Sequence, residues 1–557
     1  MFVLTAAATA QPSAGDGRPA RDAHAPVVRC VRVLTQDVWT PQEIASSGPW
    51  LRVARQGMNL LHANTRESVI RRELLVSPGA RARPELLGEM ERNLRALGLF
   101  AHVAVTAEDT AADGSVAVVV RAREAWTLRT LLSYARSSDG EQRWSALLED
   151  GNFCGGGTSL TIGAGEDEDR TWRRAGWRSP RVRGGPWSLA VQATDQSDGF
   201  DLGLQVARPF RAQADPWSVE LQLRRRDAEV RWYVSNASAV GEDPARPVSL
   251  YGELPSREQQ ARLTGLLRVA GREGGRLWRL GAGIEVSDPA YRAPQAGVLL
   301  SDGRLVDAAA FAEGAPTLAR DAQPIVEPFV ALQTLGRRWT TGRRLFQYGA
   351  VEDVPLDPGL LLRAGWSSRA LGAEREAVLL ELGALDWSRA PGGFWLLDAR
   401  ARAALGAAGQ RGAVADLTAG WLGEARGLHA RAFAEAALGE RLGGREALVL
   451  GLLRGLRSLD YDGQAGDRLV RWTAELGRPL PAQLLGFWQL GLAAHYAAGA
   501  AWWRGETRGL RDARHEAGIG LRVGASRAGR ADTARVDLTW DLAGGAPVVT
   551  AVTGGLF

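Results

Sequence analysis

In residues 451–464, GLLRGLRSLDYDGQ, an arginine and a glycine (Arg454, Gly455) followed by Leu456 stand where a plain surface loop would serve. A guanidinium is a permanent cation with a planar fork of donors, so its chemistry is the holding of a carboxylate or an amide oxygen. The segments that follow supply such groups. In DRLVRWTAELGRPL the residues Val470, Trp472, Ala474 and Leu476 share one parity and Arg471, Thr473 and Glu475 the other. In LLGFWQLGLAAHY, Trp488, Leu490, Leu492 and Tyr496 alternate with Phe487, Gln489 and Gly491. Successive strand side chains point to opposite faces, which puts Glu475 and Gln489 on the faces away from the large apolar residues.

Other chemistry is scarce. All 68 basic residues are arginine, which excludes a phosphate-binding loop ending in Gly-Lys and a Schiff-base lysine. Cys30 and Cys154 lie far apart in sequence with no Cys-x-x-Cys, and the six histidines form no His-Glu-x-x-His. There is no Gly-x-Ser-x-Gly elbow. These absences lead to the expectation of a protein that is not an enzyme, without cofactor or metal. The net charge of +5 comes from interspersed Arg and Asp/Glu, which argues against a nucleic-acid stripe.

No window reaches the ~20 apolar residues that a helical membrane span needs. A membrane barrel remains open, because its strands need only ~10 alternating residues each. From Trp126 onward short alternating runs recur. In WSLAVQATD, Trp187, Leu189, Val191 and Ala193 share a face; in RVDLTWDL, Val536, Leu538, Trp540 and Leu542 oppose Arg535, Asp537, Thr539 and Asp541. Such runs continue to the last residue, too many for one sandwich, and a closed barrel uses them without leaving edges. Trp and Tyr recur near strand ends, as interfacial girdles would require, and the chain closes on Phe557.

Three regions follow: 1–26, a signal-peptide remnant (MFVLTAAATAQ, lacking a basic start) with a disordered leader; 27–123, a small α/β domain; and 124–557, a transmembrane antiparallel β-barrel. Within the second region VVRCVRVL alternates like a strand, RESVIRREL and PELLGEMERNLRALGLF carry helical spacing, and AHVAVTAED and SVAVVVRARE form a hairpin. The order β-α-α-β-β implies three strands covered by two helices.

VIRRELLVSPG, then ERNLRALGLFAHVAV and VRAREAW, resembles a POTRA domain of the BamA/TamA outer-membrane assembly family, and one full POTRA is visible. The stretch NLLHANTR is similar to one in relatives with few POTRA domains. EDGNFCGGGTSLTIG resembles the family's second and third barrel strands, with Gly155 to Gly157 as their turn and Cys154 as a buried small residue. LLRGLRS resembles the family's lumen-loop motif at Leu453, Arg454 and Gly455, departing at Leu456, where an aromatic is usual. FWQLG resembles its strand motif, with Phe487 and Gly491 in place and Gln489 where an aspartate is usual.

The resemblance implies that the loop arginine is held inside the barrel by Glu475, with Gln489 as a neutral acceptor, Gly455 turning the tip and Phe557 as the C-terminal sorting signal. It implies about 16 strands, whereas direct counting of alternating runs reaches about twenty. It further implies an outer-membrane protein of a Gram-negative bacterium with the POTRA domain in the periplasm. Such a protein would insert or secrete unfolded client polypeptides through a laterally gated barrel, in contact with membrane lipids and with periplasmic accessory proteins. With no ATP site to draw on, the client's own folding would drive the process. A substrate-specific pore or secretion channel without insertase activity is the alternative.

Overall fold

The computed structural model describes residues 25–553 except for 138–139, 236, 242–248, 272–274, 293–296, 348–350, 375, 407–408, 453–454, 462, 507 and 530–532. Phe557 and the signal-peptide remnant thus lie outside the described residues, as does Arg454.

The N-terminal domain runs β1 (Val28–Gln36), α1 (Pro41–Ala45), α2 (Pro49–Leu61), α3 (Glu67–Arg72), α4 (Pro84–Ala96), β2 (Phe100–Glu108) and β3 (Val116–Glu124). Its sheet has the order β1-β3-β2, with β1 parallel to β3 and β2 antiparallel. The core joins Ile70 of α3 and Met90 and Leu94 of α4 to Val103, Val118 and Val120 of the sheet. The two core helices are the ones that RESVIRREL and PELLGEMERNLRA predict; α1 and α2 are additional. α1 starts at a capping box in which Thr40 and Glu43 bond each other's backbone N–H. α2 starts at Gly48-Pro49 and buries none of its residues, so it leaves the three-stranded core unchanged.

Beyond this domain the chain forms one closed antiparallel barrel of twenty strands, from Leu128–Arg136 to Val548–Thr553. The resemblance-based figure of sixteen is therefore corrected to the number of alternating runs. Fitting sixteen would have required some of those runs to be external hairpins, but twenty strands pair in the closed sheet. The outward parity carries exposed apolar residues, for example Leu380 and Leu382, Leu476, Leu492, and Val536 and Trp540. The inward parity of the same strands carries Glu381, Glu475, His495 and Asp537. An apolar outer band around a polar interior is the arrangement that suits a bilayer. No helix among the described residues is long and apolar enough to cross a membrane.

Two inserts occupy the interior. From the domain end, a hairpin of Trp339–Arg343 with Val351–Pro355 packs Leu345 and Val354 on the inward residues Trp387, Leu422 and Phe433. From the far end, the described residues of 441–467, between strands Leu428–Glu440 and Arg468–Leu484, fold onto the barrel wall. Trp232, Leu254, Val298 and Phe311 pack into a further cluster.

The N-terminal domain lies across the barrel mouth on the turns between strands. Asn152, fully buried in the turn after the second barrel strand, donates to Ala63 O at 3.0 Å and Thr65 Oγ1 at 2.9 Å and accepts from Gly157 N at 2.9 Å. Gly155 has no room for a side chain: a Cβ there would meet Asn64 O at 2.3 Å. The glycine turn thus joins the second and third strands, but Cys154 is exposed, because φ = 53° turns it out of the interface rather than into a core. Further along the rim Arg181 makes a bidentate pair with Glu73 of the domain, 2.8 Å on each arm. Arg95 of α4 reaches Asp353 of the lumen hairpin at 3.0 and 2.7 Å. On the opposite side Phe487 packs on Val38 and Trp39.

Candidate functional site

The barrel closes where its last strand meets its first. Among the described residues, strands Leu128–Arg136 and Val548–Thr553 pair through Thr550 with Ala135, Ala551 with Tyr134 and Val552 with Ser133. The first strand pairs with the second through nine. Thr553 adds a side-chain clamp, donating through Oγ1 to Leu132 O at 2.9 Å and accepting from Leu132 N at 3.3 Å. Among the described residues this is the barrel joint with the fewest residue pairs.

The lumen loop braces this seam from inside. Leu452 and Tyr461 pack with Ala135 of the first strand and Val548 of the last, all four buried. The Tyr461 hydroxyl donates to Ala135 O at 3.1 Å, and the Arg143 guanidinium lies 4.0 Å from the centre of its ring. The loop's other anchor is Leu456. It is fully buried with Leu450 against Ala437, Leu469, Ala497 and Ala501 of the wall. Gly455, at φ = 123°, lies so close to the wall that a Cβ would meet Arg471 Cδ at 2.7 Å, so the tip needs both glycine's conformation and its lack of a side chain.

A buried ionic chain extends from the loop through the neighbouring strands. Arg457 faces Asp537 (Nε to Oδ2 3.4 Å) and Glu516 (Nη1 to Oε1 3.7 Å), and the Ser458 N–H donates to Glu516 Oε2 at 2.8 Å. Arg522 bridges Asp537 at 2.6 Å and Glu475 at 2.6 and 3.1 Å; Arg431 closes the chain on Glu475 at 2.7 Å. All six charged groups are buried. Three cations thus meet three anions, which is what lets charge persist out of water.

The candidate residues from the sequence divide accordingly. Glu475 points inward and carries Arg431 and Arg522. Gly455 and Leu456 belong to the loop tip against the wall. Phe487 sits in the turn beneath the barrel, against Trp39 of the domain. Gly491 lies in its strand opposite Pro479 and Arg522. Gln489 is not brought to the loop: its amide donates to Leu480 O, and it precedes His495, the ladder partner of Glu475, by six residues. At ~3.3 Å per residue that is ~20 Å of strand. The charged residues that sequence reasoning missed are Arg431, Arg457, Glu516 and Arg522. Only Asp537 had a signal, its inward parity in RVDLTWDL.

No protein-family model matches the chain, and no curated protein matches it. Solved structures similar to it include CdiB from Escherichia coli, at TM-score 0.46 and 12% identity over 98% of this chain and 92% of that one. CdiB from Acinetobacter baumannii gives TM-score 0.42 and 9% identity, covering 95% and 73%. BamA from Haemophilus ducreyi lacking POTRA domains 1–3 gives TM-score 0.36 and 12% identity, covering 95% and 84%.

Proposed function

We propose that the chain is an outer-membrane barrel of the BamA/TamA type that inserts or translocates client polypeptides, its N-terminal domain being a POTRA domain in the periplasm. The observation that carries this reading is the seam between last and first strands, three pairs among the described residues, which Leu452 and Tyr461 of the lumen loop brace from inside. A barrel used only as a pore has no need of a joint held by a separate loop. A barrel that templates client strands must expose the edges of its first and last strands, so that a client's N–H and C=O groups are satisfied before they meet lipid. The domain contributes edges of its own, because β1 and β2 flank its sheet and an extended client can add to either. The ionic chain and Leu456 hold the lumen loop, so opening couples loop release to seam release. Gln489 then serves the strand end rather than the loop.

The alternative, a substrate-specific channel without insertase activity, requires a path past both inserts and the docked domain. The two readings separate in proteoliposomes. The insertase predicts faster folding of an outer-membrane barrel client and little standing conductance. Steady conductance without any client acceleration would overturn it in favour of the channel.

A further inference from the structure

Helix α2 has one face against protein and one face bare. On the first face, the Arg55 guanidinium lies 4.0 Å from the centre of the Trp39 ring and donates to Glu43 O at 2.9 Å and Ser47 Oγ at 2.6 Å. Asn59 accepts from Trp39 N at 3.1 Å and donates to Trp39 O at 2.8 Å. Met58 packs on the cluster of Val38, Trp39 and Phe487. A Cβ placed on Gly486 would meet Arg55 Nη2 at 2.5 Å. The helix therefore sits on the turn between strands Arg468–Leu484 and Trp488–Trp502, where the exposed Leu484, Leu485 and Trp488 end the outward apolar band.

On the second face Trp50, Val53, Leu60 and Leu61 are 89%, 65%, 86% and 80% exposed. At 3.6 residues per turn these positions fall on one stripe, and Arg55, Met58 and Asn59 fall on the opposite one. Large apolar side chains scattered singly on a surface are ordinary; four on one side of a 13-residue helix mark a contact surface. The rest of the domain extends the other way, across the mouth to Arg181 and Asp353. The bare stripe consequently faces away from the mouth, over the rim where the lipid belt ends.

We infer that α2 is an interfacial anchor, its Trp50, Val53, Leu60 and Leu61 stripe lying in the headgroup and acyl boundary of the leaflet on the domain side. Continuity with Leu484, Leu485 and Trp488 selects lipid as the occupant. The anchor holds the domain at the rim when its contacts with the turns release. The inference rests on the barrel being membrane-embedded, and the test separates the two.

Full-length protein with Cys30→Ser and Cys154→Ser is reconstituted in phospholipid nanodiscs and spin-labelled at Leu60→Cys, Val53→Cys, Gln56→Cys or Leu492→Cys. Relaxation by oxygen, which partitions into lipid, is compared with relaxation by a water-soluble nickel chelate. Labels at 53 and 60 are expected to favour oxygen and read a depth of ~5–10 Å, while the label at 56 favours nickel. Leu492 lies on the outward face of a barrel strand, so a nickel-favouring label there would sink the membrane reading itself. If Leu492→Cys reads lipid while 53 and 60 read water, the anchor alone is overturned. Protection of 53 and 60 from both reagents would mean that protein covers the stripe, and would also overturn it.

Discussion

Locking the seam should abolish activity reversibly. Ser133 and Val552 stand directly opposite each other across it. Facing antiparallel residues have Cα atoms ~4.5–5.5 Å apart, inside the ~4.4–6.8 Å that a disulfide spans. Ser133→Cys with Val552→Cys, in a background without Cys30 and Cys154, therefore cross-links the first strand to the last. Among the described residues the seam holds three ladder pairs and the two bonds of Thr553, about five hydrogen bonds. At ~1 kcal/mol net each these contribute about 5 kcal/mol to closure, to which the packing of Leu452 and Tyr461 adds. Client folding into liposomes should fall to the spontaneous rate in the oxidised variant and recover on reduction. An oxidised variant as active as the reduced one would refute the lateral route.

Four further outcomes are expected. Tyr461→Phe removes the bond to Ala135 O, worth ~1 kcal/mol, and should speed hydrogen exchange of the seam's backbone amides about fivefold. Arg522→Met leaves Glu475 and Asp537 each short of a partner and should lower barrel stability by ~3–5 kcal/mol, read as a lower temperature for loss of the compact electrophoretic form. Arg95→Ala severs the domain from the lumen hairpin and should increase the frequency of brief conductance events in planar bilayers. Burial alone would raise the Glu43 pKa, but bonds from Arg527, the Thr40 N–H and Arg123 prevail and hold it at about 2 against the usual 4.5. Because its folded pKa is depressed, its contribution is full above pH 4.5 and lost as the pH falls towards 2. Calorimetry should show a smaller drop in domain stability across that range for Glu43→Gln than for the native chain.

Much of the architecture is legible because its cause is local. The alternation of WSLAVQATD or RVDLTWDL is a property of each strand alone, and the count of about twenty such runs agrees with the twenty barrel strands. A strand number borrowed from resemblance has no such local cause. The core helices of the domain are legible for the same reason, through the helical spacing of Met90 and Leu94. α1 carried a readable signal in Thr40-Pro41-Gln42-Glu43. α2 did not read as a core element because its apolar stripe meets none of the domain core. The inserts were opaque. Trp339–Arg343 and Val351–Pro355 alternate like barrel strands, and only the closed ladder reveals that they pair with each other inside it.

The candidate site was legible in kind but not in pairing. Parity along a strand says that Glu475 and Asp537 face inward. Which cation meets them depends on the register of four strands and on the path of a loop, and neither has a period. Arg457 reaches the acids because Leu456, next to it, is seated on the wall and Ser458 is fixed by Glu516. The loop is thus positioned by an apolar anchor and a backbone N–H, and its arginine completes the charge balance. It follows that Leu456→Ala, which removes no charge at all, should displace Arg457. Burial of a leucine is worth ~2–5 kcal/mol, the range of a broken buried ion pair, but the Arg457 pairs, at 3.4 and 3.7 Å, are longer than the 2.6 Å pairs of Arg522 and lose less. Protease cleavage within 441–467 should then accelerate in Leu456→Ala beyond what Arg457→Gln produces. The reverse order would mean that charge, rather than packing, holds the loop.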